Sequence, residues 1–183
     1  MNPTTTPQEN IVLIGFMGCG KSTVGRELHQ RLGYPLVDMD HVIEQRAGKS
    51  ITRIFADEGE SVFRAMETAL LKELNDRAAP RRIISTGGGI VESATNRALL
   101  KNLGYVVWLH ASASVILQRT RKIHNRPLLE TEDPATRIQT LMEHRTPLYQ
   151  ETAHLKLDTD GLCCAELAAG ILECSRYFFN NRA

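Results

Sequence analysis

The sequence predicts an α/β fold built on a parallel sheet. Short apolar runs alternate with longer stretches of helical character. A glycine-rich, phosphate-cradling pattern separates the first run from the first helix, and acidic or glycine-rich segments stand where later runs end. Residues 11–14 form the first strand, ending at Gly15, and a helix follows over about 21–32 until Gly33-Tyr34-Pro35 stops it. Leu36-Val37 is a second, very short strand that runs into Asp38-Met39-Asp40. Residues 41–76 read as two or three helices, interrupted at Asp57-Glu58-Gly59. A third strand over 82–85 leads into Thr86-Gly87-Gly88-Gly89, followed by a helix over 93–103 and a strand over 105–109. A helix begins near Ser112, and residues 121–134 are polar without periodicity. A helix over 135–145, a strand over 155–157 and a helix over 164–178 complete the pattern.

The 183 residues suit one domain, and 42% hydrophobic content is enough for a packed core. A net charge of +1 argues against nucleic-acid binding, which leaves a basic stripe. No apolar run approaches the roughly 18–20 residues that span a bilayer. Residues 1–10 are polar, with two prolines and no signal-like apolar centre, so the expectation is a cytoplasmic protein with no membrane role. Cys19, Cys163, Cys164 and Cys174 form no C-x-x-C pair and read as free thiols.

Gly15-Phe16-Met17-Gly18-Cys19-Gly20-Lys21-Ser22 matches G-x-x-x-x-G-K-[ST] in full. Such a P-loop turns several backbone N–H groups toward a phosphate, and the helix N-terminus behind it adds partial positive charge. Gly18, Cys19, Gly20 and Thr23 are therefore expected around the phosphates of ATP. Lys21 would reach the β- and γ-phosphates, and Ser22 would ligate Mg²⁺. The bland alternative is a glycine-rich turn. Asp38 and Asp40, two residues apart beyond a strand end, can serve one cleft at two depths. One would hold a water of the Mg²⁺ shell and the other accept a substrate hydroxyl; the alternative is a helix cap. The glycines of 86–89 mean either that the backbone approaches something closely or that it forms a flexible hinge. No aspartate ends that strand and no N-K-x-D motif is present, which argues against a Ras-type GTPase. Arg64, Arg119, Arg121, Lys122, Arg126 and Arg145 are candidate anion binders, each competing with a plain surface role. The aperiodic basic stretch reads as a lid. Cys19, in a loop that favours anions, is expected to be a reactive thiol shielded by nucleotide, unless its side chain turns into the core.

The set G-F-M-G-C-G-K-S-T-V-G, D-M-D, F-R-A-M-E, T-G-G-G, R-P-L-L and R-T-P-L-Y, in this order, resembles the shikimate kinase family from Ile11 to about Ile171. The resemblance implies a P-loop NTPase fold like that of the nucleoside monophosphate kinases, with a five-stranded parallel sheet flanked by helices. It implies one domain over 1–183: a core of about 11–40, 77–118 and 135–180, a helical substrate-binding insert of about 41–76, and a lid of about 119–134. It implies phosphoryl transfer from ATP to the 3-hydroxyl of shikimate, a step toward chorismate and the aromatic amino acids, with Mg²⁺ required. Carried over by position, Lys21, Asp40 and Arg126 are catalytic. Lys21, Arg119 and Arg126 bind ATP, with Arg119 stacked on adenine, while Ser22 and Asp38 (through water) serve the metal. Asp40, Arg64, Gly87, Gly88, Gly89 and Arg145 bind shikimate, the two arginines clamping its carboxylate. A monomer acting on shikimate and ATP is the implied working form. Asp160-Gly161-Leu162 departs from the polar or basic loop residue of the family, and Cys19 from its serine or alanine. A gluconate kinase on the same core is the nearest rival. A nucleotide-binding regulatory module is the more distant one, and it predicts losses at Lys21, Asp40 or Arg126 that this chain does not have.

Overall fold

The central apolar runs are strands covered on both faces, whereas the run 155–158 alternates half-buried with exposed residues. The computed structural model describes residues 9–75, 80–121 and 133–181. β1 (Asn10–Ile14) is wholly buried and lies at the centre of a five-stranded, all-parallel sheet of order β2-β3-β1-β4-β5. Here β2 is Leu36–Asp38, β3 Ile83–Ser85, β4 Gly104–His110 and β5 Leu155–Asp158. Alternate side chains serve different layers. Ile11 and Leu13, with Tyr105, Val107 and Leu109, face one core; Val12 and Ile14, with Val106 and Trp108, face the other.

The first layer is closed by α1 (Lys21–Leu32), α6 (Ala113–Thr120) and α8 (Cys164–Asn180). The second is closed by α2 (Met39–Ala47), α3 (Ile51–Glu58), α4 (Glu60–Leu74) and α5 (Ala94–Leu103). α7 (Pro134–Thr152) contributes Ile138 and Leu141 to the first and Tyr149 to the second. α1 buries Lys21, Val24, Gly25 and Leu28, the spacing of one helical face. It begins at Gly20 with φ +103° and ends at Gly33, whose N–H bonds His29 O at 2.8 Å. Because β1 has β3 on one side and β4 on the other, the loop after β1 opens at the point where the strand order diverges.

Two boundaries differ from the sequence expectation. α2 begins at Met39, so Asp40 stands in a first helical turn rather than ahead of one. The capping residue is Asp38, whose Oδ1 accepts a long hydrogen bond of 3.5 Å from His41 N–H. α7 continues through Pro147 to Thr152 instead of stopping near Arg145. A proline inside a helix costs about 3 kcal/mol. Burial of Tyr149 and Thr152, with the Tyr149 ring stacked on Trp108 at 5.6 Å, opposes that loss. Among the described residues no helix is long and apolar enough to cross a membrane. All four cysteines are free thiols.

Candidate active site

The P-loop follows β1 and is shaped by glycine where side chains have no room. A Cβ at Gly15, where φ is +139°, would collide with Leu109 O. Lys21 is buried, and its ammonium donates to Gly15 O at 2.8 Å and Phe16 O at 3.0 Å, stitching the loop together. Ser22 Oγ–H donates to Asp38 Oδ2 at 2.7 Å, joining α1 to the end of β2. Gly18, Cys19, Gly20, Lys21, Ser22 and Thr23 line one cleft of about 340 Å³ together with Asp38, Asp40, Gly88 and Arg119. Arg119 is exposed on α6 and donates to Gly18 O at 3.3 Å. Leu162, 48% exposed, lines the same cleft, so the departing loop offers an apolar side chain there.

The Cys19 side chain turns into the core, the alternative that the sequence left open beside a reactive thiol. It is 1% exposed, belongs to the first core layer, and turns its sulfur toward Gly15 and the Lys21 ammonium, 3.8 Å away. The alternative of an inert packed thiol fits this position.

The glycine run after β3 is where the cleft meets its charged neighbours, and close approach explains it better than a hinge. A Cβ on Gly87 would strike Glu67 Oε1 and come within 3.0 Å of Asp40 Oδ1. One on Gly88 would lie 3.1 Å from Met17 N of the P-loop, and one on Gly89 would strike the Arg64 guanidinium. None of these three glycines has a positive φ, so absent volume rather than special backbone geometry is what the site uses. Tyr149 Oη–H donates to Gly88 O and fixes the turn from the other side; burial pushes its phenol well above the ordinary range.

Two arginines stand beside the turn, each anchored by acid. Arg64 donates from Nε and Nη2 to Glu60 Oε1 at 3.1 and 2.7 Å, and from Nη1 to Glu67 Oε2 at 2.7 Å. Burial acts to lower its pKa, but Glu67 and Glu60 outweigh that and the net shift is upward. Arg145 is 1% exposed; its Nε and Nη2 donate to Glu92 Oε1 at 2.7 and 2.6 Å. Its guanidinium lies 5.6 Å from the centre of the Phe16 ring. Arg126, Lys122 and most of the expected lid lie outside the described residues.

Glu67, Glu92 and Tyr149 have no role assigned from sequence, although Glu67 and Tyr149 close the F-R-A-M-E and R-T-P-L-Y motifs. Glu67 had a readable signal. α4 buries Phe63, Glu67, Leu70, Leu71 and Leu74, so an acid occupies an apolar stripe. Burial drives its carboxyl up, the Arg64 charge pulls it down, and Asp40 and Glu92 push it up again, leaving it at about 7. Its Oε1 has no hydrogen-bond partner among the described residues.

This arrangement can hold a triphosphate on one side of Gly88 and an anionic, hydroxylated acceptor on the other. The family described as Shikimate kinase matches residues 17–176. A shikimate kinase from Halorhodospira halophila is 48% identical over 163 residues, 89% of this chain and 91% of its own. The structure of the shikimate kinase from Acinetobacter baumannii in complex with shikimate superposes with a TM-score of 0.87 at 42% identity, covering 92% of this chain and 93% of that one. A gluconokinase from Sinorhizobium meliloti, 20% identical with a TM-score of 0.53 over 94% of this chain and 97% of its own, shares the fold alone. A P-loop faced by a glycine turn, with acids and two anchored arginines around it, thus sits in a chain similar along most of its length to these kinases: the chain belongs to the shikimate kinase family.

Proposed function

We infer that this chain transfers the γ-phosphoryl group of ATP to the 3-hydroxyl of shikimate, giving shikimate 3-phosphate and ADP. The observation that supports this most is the shared wall: Gly88 packs on the P-loop, while its neighbours Gly87 and Gly89 pack on Asp40 and Arg64. Donor and acceptor sites are then adjacent, as in-line transfer requires. In this reading the backbone of Gly18, Cys19 and Gly20 and the hydroxyl of Thr23 cradle phosphate, and Lys21 meets the β- and γ-phosphates. Arg119 and Leu162 flank the base. Arg64 and Arg145 bind the acceptor carboxylate, and the backbone of Gly87, Gly88 and Gly89 borders its ring. The helices of 41–76 form the acceptor-binding insert, and 119–134 the lid, from which Arg126 meets charge on the transferring group.

Asp40 takes the proton of the attacking hydroxyl. That oxygen forms a bond to the γ-phosphorus, and the bond from phosphorus to the bridging oxygen breaks to release ADP. Ser22 Oγ and Asp38 Oδ2 are hard oxygen donors already 2.7 Å apart, and they fit Mg²⁺. Ser22 would ligate the ion and Asp38 hold it through water; when bound, it offsets the negative charge of the phosphates. The reading includes a monomer at work in the cytoplasm. Its test is ADP release measured with shikimate, gluconate or quinate as acceptor. Turnover confined to shikimate is expected, and equal turnover of gluconate overturns the assignment.

A further inference from the structure

We propose that Glu92 is a positioning residue for acceptor binding, holding one edge of the Arg145 guanidinium so that the opposite edge is presented to the acceptor carboxylate. The inference rests on the reading of Arg145 as a carboxylate ligand and adds to it a residue that none of the motifs above contains. A guanidinium has five N–H donors in a planar fork, enough for two anions on two different edges. Glu92 takes the side edge: Nε and Nη2 of Arg145 both donate to its Oε1, at 2.7 and 2.6 Å. The end edge differs. Nη1 is buried and has no hydrogen-bond partner among the described residues.

A side chain only 1% exposed cannot swing to solvent to satisfy those donors, and the Phe16 ring beside the guanidinium limits its rotation. Loss of Glu92 removes the one anion that the described residues pair with this cation. A buried cation without a partner reorients or draws in water, and either change degrades the fork. Glu92 is well placed for this task. It ends the 3-10 turn Ile90–Glu92 directly after Gly89, so one short segment carries both the glycine turn and the anchor of Arg145, 53 residues away in sequence. Its own side chain is 31% exposed, so its charge is less desolvated than the one it holds.

The experiment is steady-state kinetics of wild type, Glu92→Ala and Glu92→Gln with shikimate and with its carboxamide analogue. Glu92→Ala is expected to raise the KM for shikimate about tenfold, the loss of one charge-assisted contact. The KM for ATP and kcat are expected to stay within about twofold. Glu92→Gln keeps an acceptor oxygen and the side-chain volume, and is expected to raise the same KM only about threefold. It also carries the test should the alanine variant fail to fold. The carboxamide analogue keeps one acceptor oxygen for the fork but neither the charge nor the second oxygen, and its KM is expected to rise less in Glu92→Ala than that of shikimate. An unchanged or lowered KM for shikimate overturns the proposal and makes Glu92 idle or a competitor. A rise shared by ATP, or one as large for the carboxamide as for shikimate, overturns it in favour of a general structural role. Failure of the parent reading is distinguishable, since Arg145→Ala would then leave the KM for shikimate as in wild type.

Discussion

The nucleotide side and the acceptor side proposed for this site are built in opposite ways. The nucleotide side is local: Lys21 and Ser22 follow the loop they serve, the Lys21 ammonium bonds that loop's own carbonyls, and Ser22 reaches one partner at the next strand end. The acceptor side is assembled from far apart. Arg64 and Glu67 come from α4, Glu92 from the 3-10 turn, and Arg145 and Tyr149 from α7. It is also the side with the more deeply buried charges: Glu67 is 0% and Arg145 1% exposed, against 8% for Lys21. Local backbone cradles tolerate change in their surroundings, whereas buried paired charges are penalised when either partner is lost. The two sides should therefore respond differently to mutation and to pH.

The largest separation is expected at Asp40. Asp40→Asn should lower kcat by about a hundredfold or more, with both KM values little changed, because a proton acceptor acts mainly in the transition state. Single-turnover quench measurements check this. A loss confined to KM would remove Asp40 from the chemical step.

The next effect belongs to the acceptor side alone. Glu67, whose ordinary value is 4.5, sits at about 7 in the folded chain, so folding tightens its hold on the proton. Its contribution to stability is complete below about pH 4.5 and is lost as pH rises through about 7, by roughly 3 kcal/mol at most. Glu67→Gln should remove this dependence, so thermal unfolding of variant and wild type from pH 5 to pH 8 should diverge in favour of the variant as pH rises. Parallel curves would contradict the assignment.

A smaller effect is expected from Tyr149→Phe, which deletes the hydrogen bond to Gly88 O. The KM for shikimate should rise a few-fold, in keeping with about 1 kcal/mol for one neutral hydrogen bond, while the KM for ATP holds. Smallest of all should be the response of Cys19. Iodoacetamide followed by peptide mapping should label exposed Cys163 and half-buried Cys164 well before Cys19. Rapid labelling of Cys19, slowed by ATP, would restore the reactive-thiol expectation.

The same contrast governs what the sequence discloses. The P-loop reads directly because its residues are contiguous, and α1 spans 21–32 as its periodicity and the Gly33 stop suggest. β1, β3 and β4 read as apolar runs because both faces of the sheet are covered there, whereas β5 alternates with exposed Lys156 and Asp158. Arg145 could be noticed but not oriented, since nothing in its spacing reveals that Glu92 fixes it, whereas Glu60 and Glu67 stand at helical-neighbour spacing from Arg64. The length of α7 was hidden by Pro147, whose local penalty is opposed by tertiary burial of Tyr149 and Thr152. Whether Cys19 faced phosphate or core depended on the turn of one side chain, which no residue pattern specifies.

The separation of the two sides is tested most directly by Arg145→Lys, which keeps the charge of the acceptor clamp and removes its planar fork. The two KM values of this variant should part company: that for shikimate rising about tenfold or more, that for ATP remaining as in wild type. An equal rise in both, or a rise for ATP alone, would contradict an acceptor side built independently of the nucleotide side.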